Sequence, residues 1–225
     1  MNRQLRFELR RALPFRREEF AVSPNNAEAV RLLDTWPHWH AGCLALVGPE
    51  GSGKTHLARV WAEEVGAALI GARTRQSLAA LEGRPVLFED ADRAQDDDLL
   101  FHLINMAGGD GGSLLLTART LPSTWPANLP DLRSRLNAVT VAELPTPDGV
   151  ILEGVLRKLF RERNIEPSDD LIGYLLKRIE RSGPAALAIV EQLDEAAAEG
   201  EQRPVSRALA RQFLEIDGET PDLFE

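Results

Sequence analysis

The segment from Gly48 to Thr55 contains the residue types that make a phosphate-binding loop. It fits the pattern G-x-x-x-x-G-K-[ST] at every fixed position. Glycines let successive backbone N–H groups wrap around a phosphate, and the N-terminus of a following helix adds partial positive charge. Lys54 would reach the β- and γ-phosphates, and the Thr55 hydroxyl would hold Mg²⁺. The predicted nucleotide-binding residues here are Gly48, Pro49, Glu50, Gly51, Ser52, Gly53, Lys54, Thr55 and the adjoining His56.

Two carboxylates follow a second apolar run, Val86-Leu87-Phe88. In an open α/β sheet the carboxyl ends of the strands face the ligand, which would place Glu89 and Asp90 beside the phosphate loop. We expect Glu89 to hold Mg²⁺ together with Thr55, and Asp90 to activate water. An ordinary acidic strand end is the alternative, and it accounts best for Asp92.

The elements around these residues alternate between short apolar runs and helical patterns. Strands are predicted at 43–47, 85–88, 114–117 and, more weakly, 138–141, with helices at 55–65 and 98–106 between them. A further helix is expected to begin with Ser23 as its N-cap and Pro24 as its first residue. Buried strands that alternate with helices indicate a mainly parallel sheet with right-handed crossovers.

Beyond residue 144 only helical patterns remain, at 150–163, 168–181, 184–198 and 205–216. The predicted fold is therefore an α/β P-loop domain with a mainly parallel sheet flanked by helices, followed by a small all-helical domain. The predicted divisions are a basic arm (1–20), a nucleotide-binding α/β domain (21–144), a helical lid domain (145–216) and an acidic tail (217–225).

The charge of the chain is unevenly distributed. The 225 residues include 26 Lys plus Arg and 35 Asp plus Glu, for a net charge of −9. Residues 1–20 carry +3, which leaves −12 for the remainder and argues against a protein that coats nucleic acid. A single cysteine, Cys43, fits a reducing compartment. No apolar run approaches the roughly 18 residues of a membrane span, so we expect a cytoplasmic protein with no membrane partner.

With the phosphate loop and the acidic strand end, four further segments resemble the AAA+ ATPases, in particular the DnaA-related branch and its regulators of the replication initiator. The first segment is Gln4-Leu5-Arg6-Phe7-Glu8-Leu9, which is similar to peptides that dock on the bacterial sliding clamp, the β subunit of DNA polymerase III. An extended peptide would present Leu5, Phe7 and Leu9 as apolar anchors, with Gln4 supplying hydrogen bonds. A short apolar alternation that begins a β-strand is the alternative.

Two segments resemble parts of the family that surround the nucleotide. Phe20, Val22 and Asn26 match the stretch that covers the adenine ring, although a helix cap with a hydrophobic staple would use the same residues. Thr117 ends the strand that resembles sensor 1, where a polar residue orients water near the γ-phosphate. The family has a polar or acidic residue at the position of Arg119. A capped strand end is therefore the alternative for this segment.

The last resemblance lies in residues 129–136, which are similar to the arginine-finger segment. Arg135 is the candidate to reach a γ-phosphate held by a neighbouring subunit, and Arg133 is its neighbour. A surface arginine paired with Asp131 is the alternative. The chain departs from the family at sensor 2, where alignment places Pro184 at the arginine position and leaves Arg181 as a substitute one turn away.

The resemblance implies a regulator that binds ADP or ATP with Mg²⁺, docks on the sliding clamp and promotes hydrolysis of ATP bound to the DnaA initiator. Replication would then not re-initiate, and DNA would be reached only through the clamp. Its own ATPase would be weak, with Asp90 and Arg135 as the catalytic residues. Two alternatives remain: a self-sufficient AAA+ ATPase that loads or remodels a replication protein such as helicase, and a clamp adaptor whose nucleotide only stabilises the fold. A homo-oligomer is left open.

Overall fold

The fold consists of a parallel sheet between helices, followed by four more helices, in a computed structural model that describes residues 15–71, 78–94, 96–199 and 204–214. The strands are β1 (Cys43–Val47), β2 (Ala68–Gly71), β3 (Pro85–Glu89), β4 (Ser113–Ala118) and β5 (Thr140–Glu143). The helices are α1 (Ala27–Asp34), α2 (Lys54–Val65), α3 (Asp97–Ala107), α4 (Pro130–Ala138), α5 (Gly149–Glu162), α6 (Asp169–Leu175), α7 (Gly183–Glu199) and α8 (Arg207–Leu214). All strand pairs are parallel, in the order β2-β3-β4-β1-β5. The predicted fold class is confirmed.

The sheet is buried on both faces because successive side chains of its strands enter different cores. In β1, Ala45 and Val47 pack into the core with α3 and α4, whereas Leu44 and Leu46 face α1 and α2. Every residue of β1 and β4 is buried. This burial holds the carboxyl ends of the two strands in fixed positions beside the phosphate loop.

Helices α5 to α8 enclose a third apolar cluster of their own, centred on Leu156, Phe160, Leu171 and Leu193. Asp148 begins α5 by accepting a hydrogen bond from the Ile151 N–H. The predicted helical character of this region is confirmed, and the domain boundaries themselves stay a prediction.

Helix α1 begins later than predicted. It starts at Ala27, with residues 24–26 in a turn, and not at Ser23 and Pro24. The Asn26 side chain accepts a hydrogen bond from the Ser23 N–H at 2.9 Å and donates one to the Ala21 carbonyl at 2.9 Å. These bonds hold the segment as a turn, so the prediction of the helix start was wrong.

Two differences concern the sheet. The sequence reading missed β2, a short edge strand in which Leu69 is exposed. The strand predicted at 138–141 begins at Thr140, because residues up to 138 belong to α4, whose Leu132 and Leu136 are buried. The helix α4 was not predicted.

The helix predicted at 168–181 ends at Leu175 and is followed by a turn. The next helix has its own start signals, since Ser182 accepts a hydrogen bond from the Ala185 N–H at 3.2 Å and Pro184 needs no partner for a missing N–H. Helix α7 therefore begins at Gly183.

Some predictions fall on residues outside the described ranges. These are the basic arm up to residue 14, including Gln4, Leu5, Phe7 and Leu9, and the tail from residue 215. In the part of the chain that the structure covers, no helix is long and apolar enough to cross a membrane.

Candidate nucleotide-binding site

The predicted phosphate loop joins β1 to α2. Gly51 and Gly53 both adopt positive φ, at 74° and 95°, which favours glycine. A Cβ atom at Gly48 would stand 2.0 Å from the Leu144 carbonyl oxygen, so the close approach to the end of β5 also requires glycine. Helix α2 starts immediately after Gly53, which directs its N-terminus to the loop. The structure thus has the strand, glycine turn and helix that the motif requires.

Lys54 lies against the inside of this loop. Its Nζ atom donates hydrogen bonds to the carbonyl oxygens of Gly48 and Pro49, both at 2.7 Å. Partial burial lowers the pKa of Lys54 below its usual value, and the positive charge of Arg119 lowers this pKa further. A partly desolvated ammonium beside a second cation is electrostatically suited to an anion at the mouth of the loop.

The phosphate loop and the start of α2 also carry two hydroxyl groups, those of Ser52 and Thr55. Thr55 is exposed at the start of α2, and the Ser52 hydroxyl is buried with no hydrogen-bond partner among the described residues. Among those same residues, no group of three or more His, Cys, Asp or Glu side chains is arranged to hold a metal ion. Any Mg²⁺ here would therefore be shared with phosphate oxygens, as is usual for this ion.

Glu89 is engaged elsewhere than the sequence suggests. Both of its carboxylate oxygens accept hydrogen bonds from the Arg59 guanidinium on α2. This ion pair compensates the charge of Glu89 and turns it to α2, which argues against its expected role as a metal ligand. Arg59 follows Thr55 by one helical turn and therefore lies on the same face of α2. This spacing is the sequence signal that could have indicated an arginine near the end of β3.

Asp90 is the more accessible carboxylate. Its side chain is 56% exposed, and its backbone has a positive φ of 52°, unusual for a residue other than glycine. Its N–H donates to the hydroxyl oxygen of buried Thr117 at 3.1 Å, which ties the end of β3 to the end of β4. The structure therefore brings Asp90 and Thr117 together, as their places at neighbouring strand ends imply.

Arg119 makes an ion pair with the phosphate loop. Its Nη2 atom lies 2.8 Å from Oε2 of Glu50, and its backbone N–H donates to Oδ2 of Asp92 at 3.0 Å. Glu50 is exposed near the loop apex. Sequence reasoning did not anticipate this contact, because the two residues lie on different elements with no shared motif.

The expected adenine-covering segment packs against the start of α2. The Phe20 ring would be 2.9 Å from a Cβ at Gly53, and its centroid lies 5.6 Å from that of His56. The Nε2–H of His56 donates to the Arg16 carbonyl at 3.0 Å, and burial lowers the pKa of His56. Val22 is 52% exposed. Phe20 and His56 thus lie beside the loop.

Asn26 does not present its amide to a ligand, because its side-chain hydrogen bonds go to the backbone of residues 21 and 23. Its observed role is to shape the segment that carries Phe20 and Val22.

The N-terminus of α7 rests on the phosphate loop. A Cβ at Gly51 would stand 2.7 Å from Cδ of Pro184 and 2.9 Å from the backbone nitrogen of Gly183. The hydrogen bond from the Ser23 hydroxyl lowers the pKa of Asp148, and the Ile151 N–H and the positive charge of exposed Arg181 lower it further to a smaller extent. The structure therefore puts Pro184 against the loop and leaves Arg181 exposed to solvent.

The two candidate finger arginines differ in their surroundings. Arg133 donates hydrogen bonds to the Ser123 carbonyl at 3.2 Å and the Trp125 carbonyl at 2.7 Å. Arg135 is exposed, with its guanidinium carbon 5.6 Å from the centroid of the Phe101 ring, and it makes no ion pair with a described residue. Arg133 is used within the fold, whereas Arg135 is available to another molecule.

No protein-family model matches the chain. An uncharacterised protein of Haemophilus influenzae is 29% identical over 188 residues, or 75% of this chain and 80% of that protein.

Solved structures show the fold more clearly. Domain III of the Thermotoga maritima replication initiation protein DnaA matches with a TM-score of 0.74 and 17% identity, covering 93% of this chain and 98% of that chain. The Thermotoga maritima RuvB Holliday junction branch migration motor gives 0.69 and 17%, covering 90% and 72%. A structure of the replication initiator DnaA bound to AMPPCP and single-stranded DNA gives 0.61 and 18%, covering 82% and 67%. The chain therefore shares the fold of DnaA domain III and of RuvB.

Proposed function

We propose that this chain is a nucleotide-binding AAA+ regulator of DNA replication that resembles Hda, called HdaA in alphaproteobacteria. The observation that carries the proposal is the phosphate loop with Lys54 on its inner side, in a chain with the fold of DnaA domain III. The DnaA structure with AMPPCP supports a nucleotide at the corresponding loop.

The resident ligand is ADP or ATP with Mg²⁺. The backbone of the loop and Lys54 hold the phosphates, while Phe20, Val22 and His56 lie on the side of the base. Thr55 would hold Mg²⁺, and the pairing of Glu89 with Arg59 weakens the case for Glu89 as the second ligand. Asp90, whose side chain is 56% exposed, would activate water. When bound, the ion neutralises phosphate charge. The lid contact through Pro184 couples a loaded loop to α7.

Arg135 acts in trans on ATP held by DnaA. A finger must be exposed, permanently charged and free to form two parallel hydrogen bonds with phosphate oxygens. The exposure of Arg135 and the internal hydrogen bonds of Arg133 support Arg135 as the finger. Hydrolysis would leave DnaA with ADP and prevent a second initiation.

Docking on the sliding clamp would determine where in the cell this protein meets DnaA. The peptide of Gln4, Leu5, Phe7 and Leu9 would dock there, an assignment that depends on sequence resemblance alone. The clamp encircles DNA, so docking on it would hold the acidic body beside DNA.

Reconstitution tests the proposal. ATP-bound DnaA is mixed with DNA-loaded clamp and this protein, and conversion to ADP is followed. Arg135→Ala and Gln4→Ala should each abolish the stimulation, while Arg31→Ala, which removes the same charge as Arg135→Ala at an exposed position of α1, should retain it. Undiminished hydrolysis with both of the first two variants would refute the mechanism.

The steady-state ATPase of the isolated protein separates the alternatives. Appreciable turnover that requires Lys54 and Asp90, without DnaA, would instead support a self-sufficient ATPase. Tight nucleotide binding with no effect on DnaA would support a clamp adaptor.

A further inference from the structure

A cleft between α6 and α8 lies among the lid helices, apart from the phosphate loop. It has a volume of about 530 Å³ and is lined by Asp170, Tyr174, Arg178, Arg207, Ala208 and Arg211. Three of these six residues are arginines, in a chain whose net charge is −9. The cleft is therefore locally basic on an acidic protein.

Two of these arginines lie against one aromatic ring. Tyr174 is buried, with 4% of its surface exposed. The guanidinium carbon of Arg178 lies 4.0 Å from the centroid of this ring, and that of Arg207 lies 5.2 Å away. A guanidinium stacked on a fixed ring uses its face for the ring and keeps its N–H edges for an acceptor. Because the ring already restricts the rotamers of these arginines, less side-chain entropy would be lost when an anion binds.

The charges in the cleft are only partly compensated. Asp170 accepts a hydrogen bond from Arg207 at 2.9 Å. Arg178 makes no ion pair with any residue that the structure describes. The cleft therefore has a net positive charge, and the N–H edges of Arg178 are accessible because this residue is exposed.

We propose that this cleft binds the phosphodiester backbone of DNA. Guanidinium groups match phosphate oxygens in two parallel hydrogen bonds. A protein segment would bring apolar anchors, for which the lining offers only Ala208 and a buried ring, whereas a phosphate backbone needs none. Arg178 and Arg207 both lie against the Tyr174 ring, which holds two guanidinium groups close together for contact with this backbone.

The contact is weak on its own because the body of the protein is acidic. Non-specific complexes of this kind have dissociation constants of about 10⁻⁴ to 10⁻⁶ M at physiological salt. A protein tethered beside DNA experiences it at an effective concentration of about 1 mM, so such a contact becomes occupied. The binding itself does not depend on the proposed action on DnaA.

Fluorescence anisotropy of a labelled DNA duplex with the full-length protein tests this proposal. At about 50 mM salt, Arg178→Ala and Arg207→Ala should each weaken binding by roughly threefold to tenfold, and each should reduce the log–log salt slope by about 0.9. Asp170→Asn should strengthen binding, because it removes the negative charge that competes for Arg207.

The exposed ion pair between Arg31 and Glu28 on α1 provides matched controls, with a similar N–O distance of 2.6 Å. Arg31→Ala and Glu28→Gln change the net charge equally and should leave the DNA affinity near that of the wild type. Arg178→Lys keeps the charge and is a smaller change than Arg178→Ala, so it serves as a second variant if Arg178→Ala misfolds. It should still weaken binding, because a point charge replaces a planar fork.

Tyr174→Phe should retain binding, since the hydroxyl has no hydrogen-bond partner among described residues and only the ring is needed. The proposal is overturned if the cleft variants bind DNA like the α1 controls. It is also overturned if a polyglutamate probe depends on Arg178 and Arg207 while DNA does not, because the ligand would then be an acidic protein segment.

Discussion

Replacing Gly51 by alanine would test the contact between the phosphate loop and α7. The new Cβ would meet Cδ of Pro184 at 2.7 Å and the backbone nitrogen of Gly183 at 2.9 Å. Contacts below 3.0 Å force something to shift. Because one of these atoms is backbone and the other belongs to a proline ring, the loop and the start of α7 would have to separate.

Gly66 provides a control with a similar positive φ. Its φ of 67° is close to the 74° of Gly51, but a Cβ there meets nothing within 4 Å. Both changes carry the left-handed backbone cost of roughly 1–2 kcal/mol. Only Gly51→Ala adds overpacking, of about 1–3 kcal/mol.

Thermal unfolding measures the difference. For a chain of this size, 1 kcal/mol corresponds to about 2–4 °C in Tm, so Gly51→Ala should unfold roughly 2–12 °C below Gly66→Ala. ADP should raise the Tm of Gly66→Ala as it does for the wild type, through preferential binding to the folded state, and raise that of Gly51→Ala less. Equal Tm values for the two variants would refute the packing of α7 on the loop.

Three other outcomes follow from titratable groups. Arg119→Ala should raise the pKa of Lys54, measured from the pH dependence of its chemical modification, because a repelling charge is lost; no rise would contradict the proximity of the two cations. Burial raises the pKa of Cys43 to about 12, so a disulfide reagent should modify this thiol only after unfolding, and rapid labelling of the folded protein would contradict its burial. Burial lowers the pKa of His56, so the unfolded chain binds more protons below the ordinary histidine pKa of about 6.5. Wild-type stability should therefore fall more than that of His56→Gln as pH decreases from about 7.5 to about 5.5, and parallel curves would show that His56 is not linked to folding.

Burial patterns explain why much of the sheet could be predicted. The runs in β1, β3 and β4 are continuous because both faces of each strand are covered, and that signal is local in the sequence. Edge strand β2 lacks this signal, since only Ile70 of its four residues is buried. Helix α4 was missed because its apolar face is only two buried leucines wide.

Within the candidate site, the loop was predictable because its motif is contiguous. The ion pairs Arg59–Glu89 and Arg119–Glu50 each join elements far apart in sequence, and their formation depends on how α2 and β4 pack. Placement of Pro184 against Gly51 likewise depends on how the lid helices pack, which no local pattern encodes.

Equilibrium binding of a fluorescent ADP analogue is the most direct test of the central claim, that this loop is a nucleotide site. The folded wild-type protein should bind the analogue, and Lys54→Ala should bind it more weakly by about tenfold to a hundredfold, the loss expected for hydrogen bonds to a charged group worth about 1.5–3 kcal/mol. Failure of the folded wild type to bind either ADP or ATP, or equal affinity in Lys54→Ala, would contradict the account.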